Sequence, residues 1–292
     1  MRITQRAVTL TSLQGLNRNL ETLGKLQNQL TSGRVINKPS DSPTGTNTAL
    51  QTRSEQAAVT QQARNIADAK AWLDQGSATV MQAVNMTQRI RALTVQGVNG
   101  AVSETSQRAL ATEVASLREG LIDLANTRIA GRPLFGGVTA GDVAYGTDGT
   151  YVGSTTGTVT RRVSGSELLR IELTGEEAFG SGADSLFAVV DRIADDLVND
   201  RGALAADLDA LDKAMATMQG AVAELGARGA RLERVEGVNA DRALTLQSQL
   251  AAVENIDLPQ TIMELAMQET GYQAALAATA KVISPTLLDF LR

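Results

Sequence analysis

Each end of this chain carries an apolar seam too narrow to be buried alone, and the two seams match. Leu13, Leu16, Leu20, Leu23 and Leu30 alternate at spacings of three and four, with Gln27 on the remaining position, so one side of a helix is apolar. Arg2 to Leu10 are mixed in character, and after Thr31 the chain turns through Gly33, Pro39 and Pro43, so the predicted helix is short. Near the other end Leu258, Ile262, Leu265, Tyr272, Leu276, Ile283, Leu287 and Leu291 form a second seam. The two ends are expected to pair with each other or with neighbouring copies.

Between the ends the pattern lengthens. Val59, Ile66, Leu73 and Val80 stand seven apart, with Ala63, Val84 and Ile90 as a companion row, which predicts a coiled-coil-like rod. Gly97, Asn99 and Gly100 interrupt it. Ser103 can cap a third helix carrying Leu110, Val114, Leu117, Leu121 and Leu124, and the two helices are expected to fold back as a hairpin. Later, Leu186, Val190, Ile193 and Leu197 predict one helix, and Leu204, Leu211, Met218, Leu225 and Leu232, with Leu208, Met215 and Val222 beside them, predict a long one. Asp257 and Pro259 start the last helix, because Asp caps and Pro is tolerated in the first turn.

The stretch from Gly131 to Gly182 differs in kind. Glycine becomes frequent, Val and Thr replace Ala and Leu, and Phe135, Tyr145, Tyr151, Phe179 and Phe187 lie in or beside it, five of the eight aromatic residues in the chain. Short runs at Thr150 to Val152, Thr158 to Val163 and Leu168 to Leu173 read as strands, with Asp148-Gly149 favouring a tight hairpin. The expected fold is mainly α: long antiparallel, coiled-coil-like helical rods with complementary terminal helices and a small β-rich central insertion. The expected division is 1–45 with 255–292 as a terminal helical domain, 46–134 with 184–254 as a rod domain, and 135–183 as a self-contained outer insertion.

Composition removes several function classes. With no histidine and no cysteine, neither a Ser-His-Asp nor a Cys-His arrangement exists, and disulfides and thiolate zinc sites are excluded. Asp195-Asp196, Asp207, Asp209 and Asp212 read as a solvated helix face, and no spacing selects a calcium or magnesium cage. The glycines Gly136, Gly137 and Gly141 are turn glycines, since no Lys-Ser/Thr follows them. A net charge of -5 and a pI near 5.0 disfavour non-specific nucleic-acid binding, so Arg161-Arg162 is expected on a solvated strand. No apolar run approaches the roughly 20 residues of a membrane span, and the first residues lack the apolar core of a cleavable signal peptide. The expectation is therefore a protein with no catalytic residues, cofactor or metal, no nucleic-acid partner and no membrane span.

Several segments then carry a resemblance. MRIT at the start, QLTSGRVINKPSDSP followed by Ala49-Leu50, LANTRIAGRPLFGG at 124–137, LGARGARLE at 225–233 and the ending ISPTLLDFLR are similar to the flagellar hook-associated proteins of the hook-filament junction, within the flagellin superfamily. Lys38, Pro39, Ser40 and Asp41 look like that family's version of a loop that in flagellin usually carries two consecutive acidic residues. Ser42 stands where the family often has a second Asp. The resemblance implies a non-enzymatic subunit of the bacterial flagellum, extracellular at the junction between hook and filament, and exported through the flagellum's own channel without a cleaved signal peptide. It implies as partners the first hook-associated protein, flagellin, copies of the chain itself and a cytoplasmic export chaperone. Its terminal helices would form an inner tube, using Leu13, Leu16, Leu20, Leu23, Leu30, Ile262, Leu265, Tyr272, Leu276, Ile283, Leu287 and Leu291. Two other readings share the heptads: a flagellin filament subunit, and an intracellular coiled-coil scaffold.

Overall fold

The computed structural model of the chain describes residues 2–99, 103–139 and 141–283. Among them are seven α-helices: α1 (Arg2–Ser32), α2 (Pro43–Val98), α3 (Glu104–Ala125), the short α4 (Gly175–Phe179), α5 (Leu186–Asn199), α6 (Leu204–Glu254) and α7 (Leu258–Ile283). The described residues also hold two two-stranded antiparallel ribbons, β1 (Arg128–Ile129) with β2 (Arg132–Pro133), and β3 (Thr160–Arg162) with β4 (Leu168–Arg170), and a 3-10 turn at Gly182–Asp184. The contacts divide into two compact units, residues 1–58 with 242–292, and residues 59–241. The fold is of the mainly α class expected.

In the larger unit the rods are antiparallel. Arg91 pairs with Asp212 at 2.6 Å and Lys70 lies 3.8 Å from Glu236, while the Asn239 amide donates to the Val59 carbonyl at 3.2 Å, so α2 and α6 run past each other in opposite directions. The expected fold-back of α2 on α3 is present: Arg89 meets Glu113 at 2.7 Å. Ser103 caps α3 by accepting from the Ser106 amide at 3.3 Å.

The heptad of α2 extends further than its apolar residues do. Val59, Ile66, Leu73 and Val80 are buried, and the next two positions are the buried Thr87 and Thr94. Each hydroxyl donates to the carbonyl four residues back, Thr87 to Ala83 at 2.8 Å and Thr94 to Ile90 at 2.9 Å, so these threonines pack as valines do. The companion row differs from the expected one. Ile90 is buried as expected, but Ala63 is exposed and Val84 half-buried; Ala69, Gly76 and Ala83 stand with Ile90 in the inward row, where small side chains let the rods approach closely. On α6, Leu204, Leu211, Met218, Leu225 and Leu232 are buried as expected, and the row beside them is Asp207, Ala214 and Ala221, with Leu208, Met215 and Val222 only half-buried.

Gly76 offers a test of this packing. A Cβ there would meet Leu225 Cδ1 at 3.5 Å, an ordinary contact, in a helix interior where glycine costs about 1 kcal/mol relative to alanine. Gly76→Ala is expected to stabilise the rods by about 0.5 to 1 kcal/mol, read as a higher urea midpoint at unchanged m-value.

The central insertion is less β-rich and less independent than the sequence suggests. Its strands span two or three residues each, and the segment between β2 and β3 is turns, held by the Tyr145–Tyr151 bridge that closes the Asp148-Gly149 hairpin. The aromatic residues gather into one cluster: Phe135 meets Phe179 edge-on at 5.1 Å, and Tyr145 lies 4.6 Å from Phe187 on α5. That cluster is continuous with the rod core. Trp72 and Leu225 of the rods, with Leu134, Phe135, Ile171 and Leu173 of the insertion, line one small cavity. Asn126, at the C-cap of α3, accepts from the Ala144 and Tyr145 amides at 2.9 Å and donates to the Tyr145 carbonyl at 2.9 Å. Arg161 on β3 reaches Asp68 at 2.6 Å, and Arg231 reaches Glu167 at 2.7 Å. The insertion thus shares its core with the rods, because its rings are too few to bury themselves.

Candidate assembly interface

In the terminal unit α1 packs along α7. The helix α1 begins at Arg2, not near Leu13, so it has 31 residues and is not short. Leu16 and Leu26 are buried and Leu23 and Leu30 half-buried, and with Ser12 and Asn19 they trace the seam facing α7. On α7 the matching side is Thr261, Leu265, Gln268, Tyr272, Ala275 and Thr279. The ends therefore pair within one chain.

Of the interface residues expected from sequence, Leu16, Leu23, Leu30, Leu265 and Tyr272 lie in this seam. Leu13 and Leu20 do not: they are 47% and 46% exposed, and Ile262 and Leu276 are 51% and 42% exposed. The alternation of three and four permits two seams sharing Leu16, Leu23 and Leu30, and the α7 contact selects the one through Leu26. The position given to Gln27 is exposed. Ile283 is the last residue of α7, and Leu287 and Leu291 lie outside the described residues. Each helix consequently keeps an outward apolar flank, with Leu10 beside Leu13 on α1 and Met263 and Met267 beside Ile262 on α7. Exposed apolar side chains grouped in this way are a candidate contact surface.

The loop between α1 and α2 is held at both ends. Gly33, at φ 70°, ends α1 and donates to the Gln29 carbonyl at 2.8 Å. The chain then ties to the end of α6 and the link that follows it: Val35 N donates to the Glu254 carbonyl at 2.7 Å, and Ile256 N to the Gly33 carbonyl at 3.2 Å. The Glu254 side chain is buried and meets Arg53 at 2.8 Å. Asp257 caps α7, accepting from the Gln260 amide at 3.1 Å. Ser42 caps α2 ahead of Pro43, its hydroxyl accepting from the Gly45 amide at 3.1 Å, which is the work an aspartate would do there. A Cβ at Gly45 would come 2.6 Å from Ile36 Cδ1 and 2.8 Å from the Ser42 hydroxyl, so a larger residue there must displace the Ile36 side chain and the cap.

Within the loop, Asp41 is the organiser. One carboxylate oxygen accepts from the Asn37 and Lys38 amides, both at 3.1 Å, and the Asp41 amide donates back to the Lys38 carbonyl at 2.9 Å. This turn leaves Lys38, Pro39 and Ser40 exposed at its tip. An open groove of about 720 Å³, walled by Lys25 and Asn28 of α1 and by Asn37, Lys38 and Asp41, lies on one side. The amide of Lys38, and after it the Asn37 amide and the nearby lysines, hold the Asp41 carboxyl below its usual range. A lowered carboxylate stabilises the fold above its unfolded pKa and loses that contribution as pH falls through the folded value. The Asn37 and Lys38 amides are therefore expected to lose protection against hydrogen exchange on acidification, and Asp41→Ala to remove the protection at neutral pH. Unchanged protection in that variant would show that Asp41 does not hold the turn.

The acidic groups are less uniformly solvated than expected. Asp207 is buried at 5% exposure, with Oδ1 3.4 Å from Arg192 and Oδ2 without a hydrogen-bond donor among the described residues, because its place on α6 belongs to the inward row. Asp196 beside it has its carboxyl pushed up, by burial first and then by Asp207. Asp212 is engaged by Arg91. Among the described residues no group of three carboxylates is placed to hold a metal ion, and no helix is long and apolar enough to cross a membrane.

With that geometry in hand, known proteins give a consistent comparison. Residues 3–140 match the bacterial flagellin N-terminal helical region. Over 95% of the chain and 96% of the relative, the sequence is 27% identical to flagellar hook-associated protein 3 of Escherichia coli K12. A B-type flagellin of Pseudomonas aeruginosa is 30% identical, but over only 50% of this chain and 29% of that flagellin. A solved flagellar hook-associated protein of Vibrio parahaemolyticus superposes with a TM-score of 0.68 at 22% identity, covering 74% of this chain and all of that one.

Proposed function

We infer that the chain is a member of the flagellar hook-associated protein 3 family, a structural component of the bacterial flagellum, and that it is the subunit joining hook to flagellin filament. The observation that carries the reading is length: the likeness runs through both ends and the middle of the hook-associated protein, whereas it reaches only a fraction of a flagellin. The terminal helices contribute the inner tube, their outward flanks of Leu13, Leu20, Ile262 and Leu276 meeting neighbouring subunits. The loop at Lys38 to Asp41 lies at the junction contact. The partners are the first hook-associated protein on the cell side, flagellin on the far side, further copies of the chain and an export chaperone before secretion. Neither catalysis nor a cofactor enters this role, and export uses the flagellar channel.

Gold-labelled antibody on isolated flagella tests the assignment. Label is expected in a short zone just above the hook, and a strain lacking the protein is expected to keep its hooks and lose its filaments. Label along the whole filament would make the chain a flagellin instead, and label confined to the cytoplasm would favour a coiled-coil scaffold.

A further inference from the structure

At the middle of the α1/α7 seam the leucines give way to two amides. Gln268 Nε2 donates to Asn19 Oδ1 at 3.3 Å and approaches the Asn19 carbonyl at 3.4 Å, both residues half-buried. Asn19 stands between Leu16 and Leu23 on the seam, and Gln268 between Leu265 and Tyr272. Apolar side chains at those positions would bury more surface. We propose that Asn19 and Gln268 act as one unit that aligns α1 on α7 while keeping their pairing weak enough to open.

Alignment follows from what a slip would do. The seam repeats every seven residues, so leucines alone allow the helices to shift by one heptad. A shift that brings Gln268 against Leu26 and Asn19 against Ala275 leaves both amides facing apolar atoms, and a polar group buried without a partner is costly. The tie at Gly33 and Ile256 fixes the mouth of the hairpin, but the amide pair lies roughly four helical turns beyond it, where the tie no longer constrains fraying. Weakness follows from the same chemistry, because a buried polar pair specifies register at the expense of stability. Two helices that expose apolar flanks while placing amides in their mutual seam hold each other loosely. For a subunit that meets its neighbours through those flanks, loose pairing lets the ends adjust as the neighbours arrive, a consequence that rests on the assembly reading above.

Hydrogen exchange on the full chain tests the pair, with α2 to α6 as internal reference. Asn19→Leu, Gln268→Leu and the double variant are compared with a control carrying Asn17→Leu and Gln273→Leu, both exposed positions on the same helices. The double variant is expected to slow exchange in α1 and α7 by about tenfold or more, and by more than the two single changes combined, since each single change strands the remaining amide. The control is expected to stay within about twofold of the parent. Additive single effects, or a control that slows exchange as much as the double variant, would overturn the proposal. Incorporation into flagella is scored separately: if the exchange signature holds and the double variant assembles at the normal rate, the amide pair stands and its consequence for assembly falls.

Discussion

Cells carrying Ile262→Asp and Leu276→Asp are expected to extend hooks but no filaments, and to release unpolymerised flagellin into the medium. In the free chain both side chains are exposed, at the edge of the α7 seam beside Leu265 and Tyr272 and not within it, so the substitutions should change monomer stability by only about 0.5 kcal/mol each. In an assembly that covers this flank the balance reverses. Each leucine-sized side chain buried there contributes roughly 1.5 to 3 kcal/mol, and each aspartate replacing it must be stripped of water without a partner. Repetition around a tube multiplies the loss. The comparison variant is Leu265→Asp, which strikes the seam itself and is expected to separate α1 from α7 in the monomer. Normal filaments on cells with the first pair of substitutions would remove the flank from the interface.

The second large effect lies where the insertion meets the rods. Phe135→Ala is expected to cost about 3 to 5 kcal/mol, because the ring is fully buried, meets Phe179 and lines the same cavity as Trp72 and Leu225. Excision of residues 138–181 should be worse, uncovering Phe187 on α5 and leaving Asn126 without its three partners. Sequence alone points the other way, to an insertion that can be removed without disturbing the rods. Urea unfolding decides between them: a loss under about 1 kcal/mol for Phe135→Ala would mean that the insertion does not share the rod core.

The difference shows what the sequence could and could not carry. Heptads at Val59, Ile66, Leu73 and Val80, and at Leu204 through Leu232, were legible because each buried row is written in the residues of one helix. Thr87 and Thr94 extend the α2 row unseen, since a hydroxyl bonded to its own helix is apolar only in context. The choice between the seams through Gln27 and through Leu26 was not written in α1 at all; it is made by α7, more than two hundred residues away. The Lys38 to Asp41 segment was recognisable as turn chemistry, but the two amides gathered by one Asp41 oxygen required coordinates. The five rings were visible as a cluster in sequence. Their attachment to Trp72 was not, because a lone indole in a heptad looks like any other inward residue.

That placement of Trp72 gives the chain an optical reporter of its own. It is the one tryptophan in the sequence, it is nearly buried, and it sits where rod and insertion meet, with its indole N–H lacking a partner among the described residues. Its fluorescence therefore follows the docking of the insertion, while far-ultraviolet dichroism follows the helices. A red shift in emission that precedes the loss of dichroism would show the insertion lifting away from intact rods, and coincident curves would show the two melting as one.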